Sequence, residues 1–300
     1  MRLRFALSCR LIEPMLSTHT KVKIAGALSW TVRATRSLAG HYSNEVEVFR
    51  DGLKWRLDLE QGIDLAIYLL GAFERSTVNA YRKIVQPGDT VLDIGANVGA
   101  HTLHLARLVG NNGTVIAYEP TAYAVRKLRQ NLALNPGLAQ RVTVAQMMLT
   151  DSDDRIPEHE IYSSWPLTRQ KDLHAGHRGQ LKSTDGCRAL KLDSHLQSLK
   201  LKKVDFIKMD VDGFEVHVLG GATVTLETYH PAILVELSPY LYSEHGKSLD
   251  DLLSLLTRAG YSMFHLDHRS ELPMDSKRIH AMVPAGSSIN VIAKARHQRL

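Results

Sequence analysis

The chain has 300 residues, of which 44% are hydrophobic and 23% are charged. This composition excludes a disordered or fibrous protein, and the length suits one catalytic domain with an extension better than two large domains. The formal charge of +6 would suit an acidic partner such as nucleic acid, but it is scattered along the sequence. Of two local basic groups, the one at 200–203 precedes a predicted buried strand, where solubilising lysines are common, and the one at 294–299 has no interleaved aromatic residues to stack on bases. We therefore expect no nucleic-acid partner.

Cysteine content and hydropathy bear on the compartment. Cys9 and Cys187 cannot build a disulfide framework, and reduced thiols in the cytoplasm are the simpler interpretation. We expect no transmembrane segment, because no apolar run approaches the roughly 18 residues that would span a bilayer. At the N-terminus, Arg10 interrupts a short apolar patch before it reaches signal-peptide length. A secretory signal is therefore not expected, whereas a peripheral membrane contact through this segment stays open.

The N-terminal part differs in pattern from the rest. Residues 1–43 have weak periodicity and predict a loosely structured or helical extension. From Glu45 to Glu60, apolar and polar residues alternate around Asp51-Gly52, which predicts a β-hairpin. We assign 1–75 to this extension with its hairpin and 76–300 to the catalytic domain.

Strand and helix patterns alternate from about Ser76 onward. The predicted strands are Thr90–Ile94, Thr114–Tyr118 and the segments VTVAQ, VDFIKMD, AILVEL, YSMFHLD and SINVIAK. Helical patterns separate most of them, including one continuous pattern over 214–229 that contains a central glycine pair, and an amphipathic helix with Ser248 as its cap. Such repeats predict a doubly wound α/β sheet. No helical pattern separates the last two strands, which favours an antiparallel hairpin at one edge. We therefore predict a Rossmann-like class I methyltransferase fold, with a mostly parallel seven-stranded sheet.

The motif that follows the first strand of this region predicts a cofactor site. It reads Asp93-Ile94-Gly95-Ala96-Asn97-Val98-Gly99 and connects a strand to a helix. Cofactors of doubly wound sheets bind outside the carboxyl ends of the strands, and glycines there let the backbone approach a ligand. A dinucleotide fingerprint would need glycine at positions 95, 97 and 100, where this chain has Gly95, Asn97 and Ala100. S-adenosylmethionine has no pyrophosphate, and its cationic groups suit carboxylates, so this cofactor is favoured over NAD.

Two further carboxylates belong to the predicted cofactor site. Glu119 ends the second strand, where a carboxylate accepts both ribose hydroxyls. Asp151 follows the third strand, either as an acceptor for the adenine amino group or as a loop aspartate in an acidic run. The candidate cofactor-binding residues are Asp93, Gly95, Ala96, Asn97, Gly99, Glu119, Asp151 and Asp210.

From about 54 to 265, the chain resembles the FkbM-type methyltransferase family. The resemblance rests on VLDIGANVGAHTLHLA, VIAYEP, LRQNLALNP and, above all, VDFIKMDVDGFEVHVLGGA followed by AILVEL. The family usually has Glu where Asp212 stands, and often an aromatic residue where this chain has Ala100 and His101. The resemblance implies methyl transfer from S-adenosylmethionine, typically to a hydroxyl of a glycan or secondary metabolite. The segments YSSWPL and GQLKST resemble one subset of the family; we expect them over the active site, the alternative being a surface loop.

Methyl transfer to a weakly acidic hydroxyl would be helped by a general base. Lys208, Asp210 and Asp212 alternate along the fourth strand and are expected to point the same way. Asp210 is the first candidate for a catalytic residue, and Lys208 would neutralise the carboxylates. His101 and Glu236 are the other catalytic candidates. Asp210 with Glu236 could alternatively hold a divalent metal, but the sequence shows no clear metal site.

Other functions on the same fold stay open. A nucleic-acid methyltransferase acting on base amino groups commonly has an Asn/Asp-Pro-Pro-aromatic stretch after the fourth strand, where this chain reads Asp210-Val211-Asp212-Gly213. An aminopropyl transferase, an NAD-dependent enzyme and a non-catalytic cofactor-binding protein are the remaining alternatives. The sequence defines neither the acceptor nor the oligomeric state.

Overall fold

A computed structural model describes residues 18–168, 171–176, 178–267 and 270–296. Cys9, Arg10 and the last cation of the C-terminal basic group, Arg299, lie outside these described residues. The helices are α1 (Thr18–Leu38), α2 (Gly62–Leu70), α3 (Arg75–Tyr81), α4 (Thr102–Leu108), α5 (Ala122–Ala133), α6 (Pro136–Ala139), α7 (Leu192–Ser198), α8 (Glu215–Gly220), α9 (Thr223–Tyr229), α10 (Leu249–Arg258) and α11 (Ser276–Met282). The strands are β1 (Glu45–Arg50), β2 (Leu53–Asp58), β3 (Thr90–Ile94), β4 (Thr114–Tyr118), β5 (Val142–Ala145), β6 (Met147–Leu149), β7 (Glu160–Ser163), β8 (Gln180–Ser183), β9 (Arg188–Leu190), β10 (Phe206–Met209), β11 (Ala232–Leu237), β12 (Tyr261–His265), β13 (Glu271–Leu272) and β14 (Ile289–Ala295).

The main sheet has the order β13-β12-β14-β11-β10-β3-β4-β5. β5, β4, β3, β10 and β11 are parallel, and β14 runs antiparallel to both of its neighbours, β11 and β12. The predicted Rossmann-like methyltransferase fold is therefore confirmed. The sheet has eight strands rather than seven, because Glu271–Leu272 adds a short edge strand. The connection between the last two long strands also contains α11, whose seven residues are too few to give a helical pattern in the sequence.

Burial of the sheet on both faces sets the position of the functional edge. All five residues of β3 are buried, as are the four residues of β10. One core cluster packs against Leu92 and Ile207, and another against Val91 and Phe206 on the opposite face. Continuous apolar runs of this kind are typical of parallel strands covered by helices. The carboxyl ends of β3, β4 and β10 consequently meet at one edge.

The predicted N-terminal hairpin is confirmed as β1 paired with β2. Asp51 and Gly52 both have positive φ, as a two-residue hairpin turn requires. The backbone amides of Arg56 and Lys54 donate to the side chains of Asn131 and Asn135, at 2.8 and 3.1 Å. These bonds attach the hairpin to α5 and to the start of α6. Within 18–38 the extension is helical, and the boundary at 75/76 stays a prediction.

Two predictions about the second half of the chain were wrong. The continuous helix over 214–229 is two helices, because the chain bends at Gly221, where a Cβ would lie 2.0 Å from the carbonyl oxygen of Thr150. The long stretch between the predicted strands VTVAQ and VDFIKMD, in which the sequence pattern indicates no regular structure, contains the hairpin β7–β8, and β6 and β9 form a parallel pair. Across the part of the chain that is described, no helix combines the length and hydropathy needed to cross a membrane.

Candidate active site

A cavity of about 310 Å³ lies at the carboxyl ends of β3, β4 and β10. Its volume is at the lower end of the range of small-molecule sites. The loop after β3, the segment after β10 and the hairpin β7–β8 all contribute to its wall. The predicted site residues that line it are Gly95, Ala96, Asn97, His101, Glu119 and Asp210, whereas Asp93, Gly99, Asp151 and Glu236 do not.

The loop after β3 owes its shape to positive φ angles at Gly95, Asn97 and Gly99. Asparagine tolerates this conformation better than most side chains do, because it can bond locally to the backbone. The Asn97 side chain accepts a hydrogen bond from the amide of Val98 at 2.9 Å. Gly99 serves packing, since a Cβ there would lie 2.5 Å from the Leu128 side chain on α5.

Glu119 is a buried carboxylate in the cavity wall. It accepts hydrogen bonds from the amide of Asn97 at 3.0 Å and from the amide and hydroxyl of Thr121 at 2.9 and 2.6 Å. Burial raises the pKa of Glu119 against the effect of these donors. A carboxylate has about four lone-pair directions, and three are used here. One acceptor position therefore remains for a ligand.

Asp93 lies behind the loop rather than in the cavity wall. Its carboxylate is fully buried, accepts a hydrogen bond from the Thr102 hydroxyl at 2.5 Å and lies 3.9 Å from the Lys208 ammonium. Burial raises the pKa of Asp93. The hydrogen bond between Asp93 and Thr102 therefore connects β3 to the first turn of α4.

Lys208 is the buried cation of the site. Its ammonium lies 3.4 Å from the Asp210 carboxylate and donates to the carbonyl oxygen of Gly95 at 3.4 Å. Burial alone would lower the pKa of Lys208, but the carboxylates of Asp210, Asp93 and Glu74 outweigh it and raise the pKa. The cation thus fixes Asp210, whose side chain keeps 24% of its surface exposed to the cavity.

The segment after β10 departs from the predicted strand alternation. The strand ends at Met209, and Asp212 has a left-handed backbone with φ of 49°. Glu215 holds this turn, because its buried carboxylate accepts hydrogen bonds from the amides of Val211 and Gly213 at 3.1 and 3.4 Å. Lys208, Asp210 and Asp212 nevertheless all reach the cavity wall.

Asp210, Asp212 and Glu236 form an acidic cluster, in which one oxygen from each carboxylate lies within 4.8 Å of the others. Burial and the charge of Asp210 raise the pKa of both Asp212 and Glu236. Glu236 lies behind the wall and accepts hydrogen bonds from the hydroxyls of Ser288 and Ser238, at 2.5 and 3.2 Å. Three carboxylates at this spacing can hold a divalent cation or share protons.

His101 faces the cavity beside this cluster. Its Nδ1 lies 3.3 Å from the Tyr81 hydroxyl, and its Nε2 lies 3.8 Å from the Glu74 carboxylate. Among the described residues, Nε2 has no hydrogen-bond partner. Burial and the nearby Lys208 charge lower the pKa of His101 well below its usual value. The imidazole is therefore neutral and can accept a hydrogen bond, but the lowered pKa makes it a weak base.

Asp151 points away from the cavity. Its carboxylate accepts hydrogen bonds from His217 at 2.9 Å and from Lys247 at 3.4 Å. Although partial burial raises the pKa of Asp151, these donors hold it below the usual value. The cavity wall beside Glu119 is formed instead by Met148 and Leu149, whose apolar character gave no functional signal in the sequence.

The predicted position of the YSSWPL segment over the cavity is confirmed, since its residues Tyr162–Trp165 line the wall. The carbonyl oxygen of Trp165 accepts a hydrogen bond from the amide of Gly62 at 2.8 Å, which fixes the backbone at this position. Its ring lies 5.7 Å from that of Phe73, which also lines the cavity. Sequence analysis missed Phe73 because it lies in the N-terminal part, far from every motif.

The sheet order and the position of the cavity define a class I methyltransferase. A sequence model of the methyltransferase FkbM domain matches residues 93–263, more than half of the chain. The chain therefore belongs to the FkbM methyltransferase family.

Three relatives illustrate the range of that similarity. The AMB antimetabolite synthetase AmbE of Pseudomonas aeruginosa is 25% identical over 211 residues, which cover 60% of this chain and 10% of AmbE, so this chain spans a tenth of that protein's length. The hexuronic acid methyltransferase AglP of Haloferax volcanii is 24% identical, with 63% of this chain and 70% of AglP covered. The 2-O-methyltransferase NoeI of Sinorhizobium fredii is 28% identical, with 60% of this chain and 78% of NoeI covered.

The residues that line the cavity fit S-adenosylmethionine, the cofactor that the sequence motif predicts. Glu119 keeps an acceptor position for a hydroxyl, and the absence of a Cβ at Gly95 lets the loop lie close to the segment after β10. The acidic wall suits the sulfonium and ammonium charges of the cofactor. Glu119 and the loop Gly95–Asn97 are the residues that would hold it.

Proposed function

We propose that this protein transfers a methyl group from S-adenosylmethionine to a hydroxyl oxygen of a glycan or secondary metabolite. The observation that carries the proposal is that Asp210 and a neutral His101 line the same cavity as the cofactor loop. A hydroxyl between them would have a proton acceptor within reach. The similarity to NoeI, whose name describes a 2-O-methyltransferase, supports an oxygen acceptor.

Asp210 is the residue that we place at the attacking hydroxyl. Bound S-adenosylmethionine supplies the electrophilic methyl group, and the protein must align the nucleophile and remove its proton. Lys208 holds the Asp210 carboxylate at 3.4 Å, which fixes the direction in which that carboxylate accepts a hydrogen bond. The Nε2 atom of His101, which has no hydrogen-bond partner among the described residues, offers a second hydrogen-bonding position for the acceptor. Glu236, held by two serines behind the wall, lies beside Asp210, and burial together with the charge of Asp210 raises the pKa of Glu236.

The charge of the cavity favours a neutral or amine-bearing acceptor. The ionisable acids in its wall are Glu119, Glu158, Glu160, Asp210, Asp212 and Glu244. Among the described residues of the wall, Lys208 is the one lysine or arginine. An anionic group entering this cavity would meet repulsion in a partly desolvated place. The aromatic rings of Trp165 and Phe73 offer an apolar surface for a sugar ring.

Incubation with methyl-labelled S-adenosylmethionine tests the proposal. The protein is mixed with separated fractions of cell glycans, lipids and RNA, and the label in each is counted. We expect label in a glycan or small-metabolite fraction, in a linkage that survives mild alkali as an ether does. Label in RNA, or a label released by mild alkali, would contradict the proposal. The cytoplasmic compartment also remains a proposal, which rests on the cysteine content.

A further inference from the structure

Helix α1 presents an unusual face to solvent. The helix is held to the body on one side, where the buried Ser29 hydroxyl donates to the carbonyl oxygen of Leu59 at 2.8 Å. On the same side Arg33 forms an ion pair with Glu60, and a Cβ at Gly26 would lie 3.3 Å from the carbonyl oxygen of Leu167. The orientation of α1 on the body is thereby fixed.

The opposite side carries no charge. Ile24, Leu28, Thr31, Thr35 and Leu38 follow one another at intervals of four, three, four and three residues, which places them on one helix face. All five are exposed, and Ile24, Leu28 and Leu38 keep 49%, 48% and 90% of their surface accessible. A helix on the surface of a globular protein normally turns its charged face outward. In α1 the charges lie elsewhere and the outward face is apolar.

The flanks of this face suit a membrane surface that carries negative charge. Helix α1 contains Lys21, Lys23, Arg33 and Arg36 and no aspartate or glutamate. Lys21 and Lys23 are exposed, and Trp30 on the flank is 67% exposed. Tryptophan and lysine side chains favour the headgroup region, where an apolar body meets a polar layer. A protein partner would need complementary carboxylates, whereas anionic lipids supply the same charge without a shaped partner.

We propose that α1 is a peripheral membrane-binding helix that lies in the headgroup layer of an anionic bilayer. Ile24, Leu28 and Leu38 enter the acyl boundary, while Lys21 and Lys23 contact lipid phosphates. The surface adjoins the cavity, because Leu167, which contacts α1 at Gly26, lies two residues from the lining residue Trp165. Membrane binding by α1 is independent of the reaction that the cavity supports.

Vesicle binding by the full-length protein tests this proposal. Vesicles of equal parts phosphatidylglycerol and phosphatidylcholine are compared with pure phosphatidylcholine, by sedimentation and by quenching of tryptophan emission with brominated acyl chains. We expect binding to the anionic vesicles that weakens with salt, together with quenching that is lost in Trp30→Phe. Trp55 is fully buried and Trp165 lies in the cavity wall, so neither should contribute.

Two matched variants test whether vesicle binding depends on this face of α1 or on exposed apolar residues in general. Leu28→Glu should weaken vesicle binding by about tenfold or more, since it places a carboxylate at the centre of the apolar face. Val224→Glu alters a residue of α9 that is 61% exposed, and should bind as the wild type does. Circular dichroism checks that both variants fold. No binding to anionic vesicles at low salt, or equal binding by Leu28→Glu, would overturn the proposal. So would a concentration-dependent dimer that Leu28→Glu dissociates, because the face would then belong to a second copy.

Discussion

A Cβ atom added at Gly95 would lie 1.8 Å from the carbonyl oxygen of Asp210. The two strongest motifs of the sequence, one after β3 and one after β10, are therefore in backbone contact. The amide of Asp210 also donates to the carbonyl oxygen of Ile94 at 3.1 Å. Because of this contact, the position of the cofactor loop and the position of the candidate catalytic carboxylate depend on each other.

Gly95→Ala should destabilise the protein and abolish cofactor binding. The left-handed backbone costs about 1–2 kcal/mol for an alanine, and overpacking adds about 1–3 kcal/mol. Gly88→Ala is the matched control, because its φ is +93° and nothing lies within 4 Å of the added Cβ. Chemical unfolding of both variants measures the difference. If both lose the same free energy of unfolding, the contact with Asp210 is not tight.

Glu119→Ala should weaken binding of S-adenosylhomocysteine by about 1.5–3 kcal/mol, the scale of a charge-assisted hydrogen-bond site. Titration calorimetry measures the change in affinity. An unfolding curve of the variant is also recorded, because the substitution leaves the amides of Asn97 and Thr121 without their acceptor and could destabilise the fold. Glu160→Gln removes another carboxylate of the cavity wall and should bind nearly as the wild type does. If the Glu119→Ala protein folds and binds S-adenosylhomocysteine with wild-type affinity, Glu119 is not part of the cofactor site. Binding of NAD in place of S-adenosylhomocysteine would contradict the assigned cofactor.

Glu215 should make stability depend on pH. Burial raises its pKa from 4.5 to about 7. Between these two values the folded state binds more protons than the unfolded state, so the free energy of unfolding falls as pH rises and levels off above 7. The contribution is about 3 kcal/mol at full extent. Urea unfolding near pH 5 and near pH 8 should show this difference in the wild type and its loss in Glu215→Gln, which keeps an acceptor oxygen. An unchanged pH dependence in the variant would show that Glu215 titrates normally.

The parts of the site that local sequence determines were predictable. Gly95, Asn97 and Glu119 lie where the strand–loop–helix pattern puts them, because the carboxyl ends of parallel strands fix the position of the residues that follow. The hairpin at Asp51-Gly52 was equally predictable, since its turn chemistry is contained in two residues.

Contacts between distant segments were not predictable. Phe73 and Glu74 reach the site from the region before the first motif, and no periodicity connects them to it. Asp151 follows a strand, yet its carboxylate faces His217 and Lys247, because the side-chain direction beyond a strand end depends on tertiary partners. Glu236 is on the expected strand but behind the wall, where Ser288 of the loop before β14 holds it.

The acidic wall should make the enzyme discriminate against anionic acceptors. Once the labelled glycan is known, its neutral form and a form with one hexuronate at the acceptor sugar are compared as substrates. We expect kcat/KM to be at least about tenfold higher for the neutral form, because repulsion in a partly buried site exceeds 1.4 kcal/mol. The comparison is repeated with a chelator, which should change nothing. A preference for the hexuronate that chelator abolishes would mean that Asp210, Asp212 and Glu236 hold a cation.

The most direct test of the account follows a ¹³C-labelled methyl group from S-adenosylmethionine into product, with wild type and Asp210→Asn side by side. Asparagine is nearly isosteric, so the variant should fold and bind S-adenosylhomocysteine. We expect the wild type to form a methyl ether on a neutral acceptor and Asp210→Asn to be slower by about 10²–10⁴-fold, the usual contribution of a general base. Asp212→Asn should lose less. Methylation of nitrogen or of a carboxylate by the wild type, or an unchanged rate in Asp210→Asn, would contradict the account.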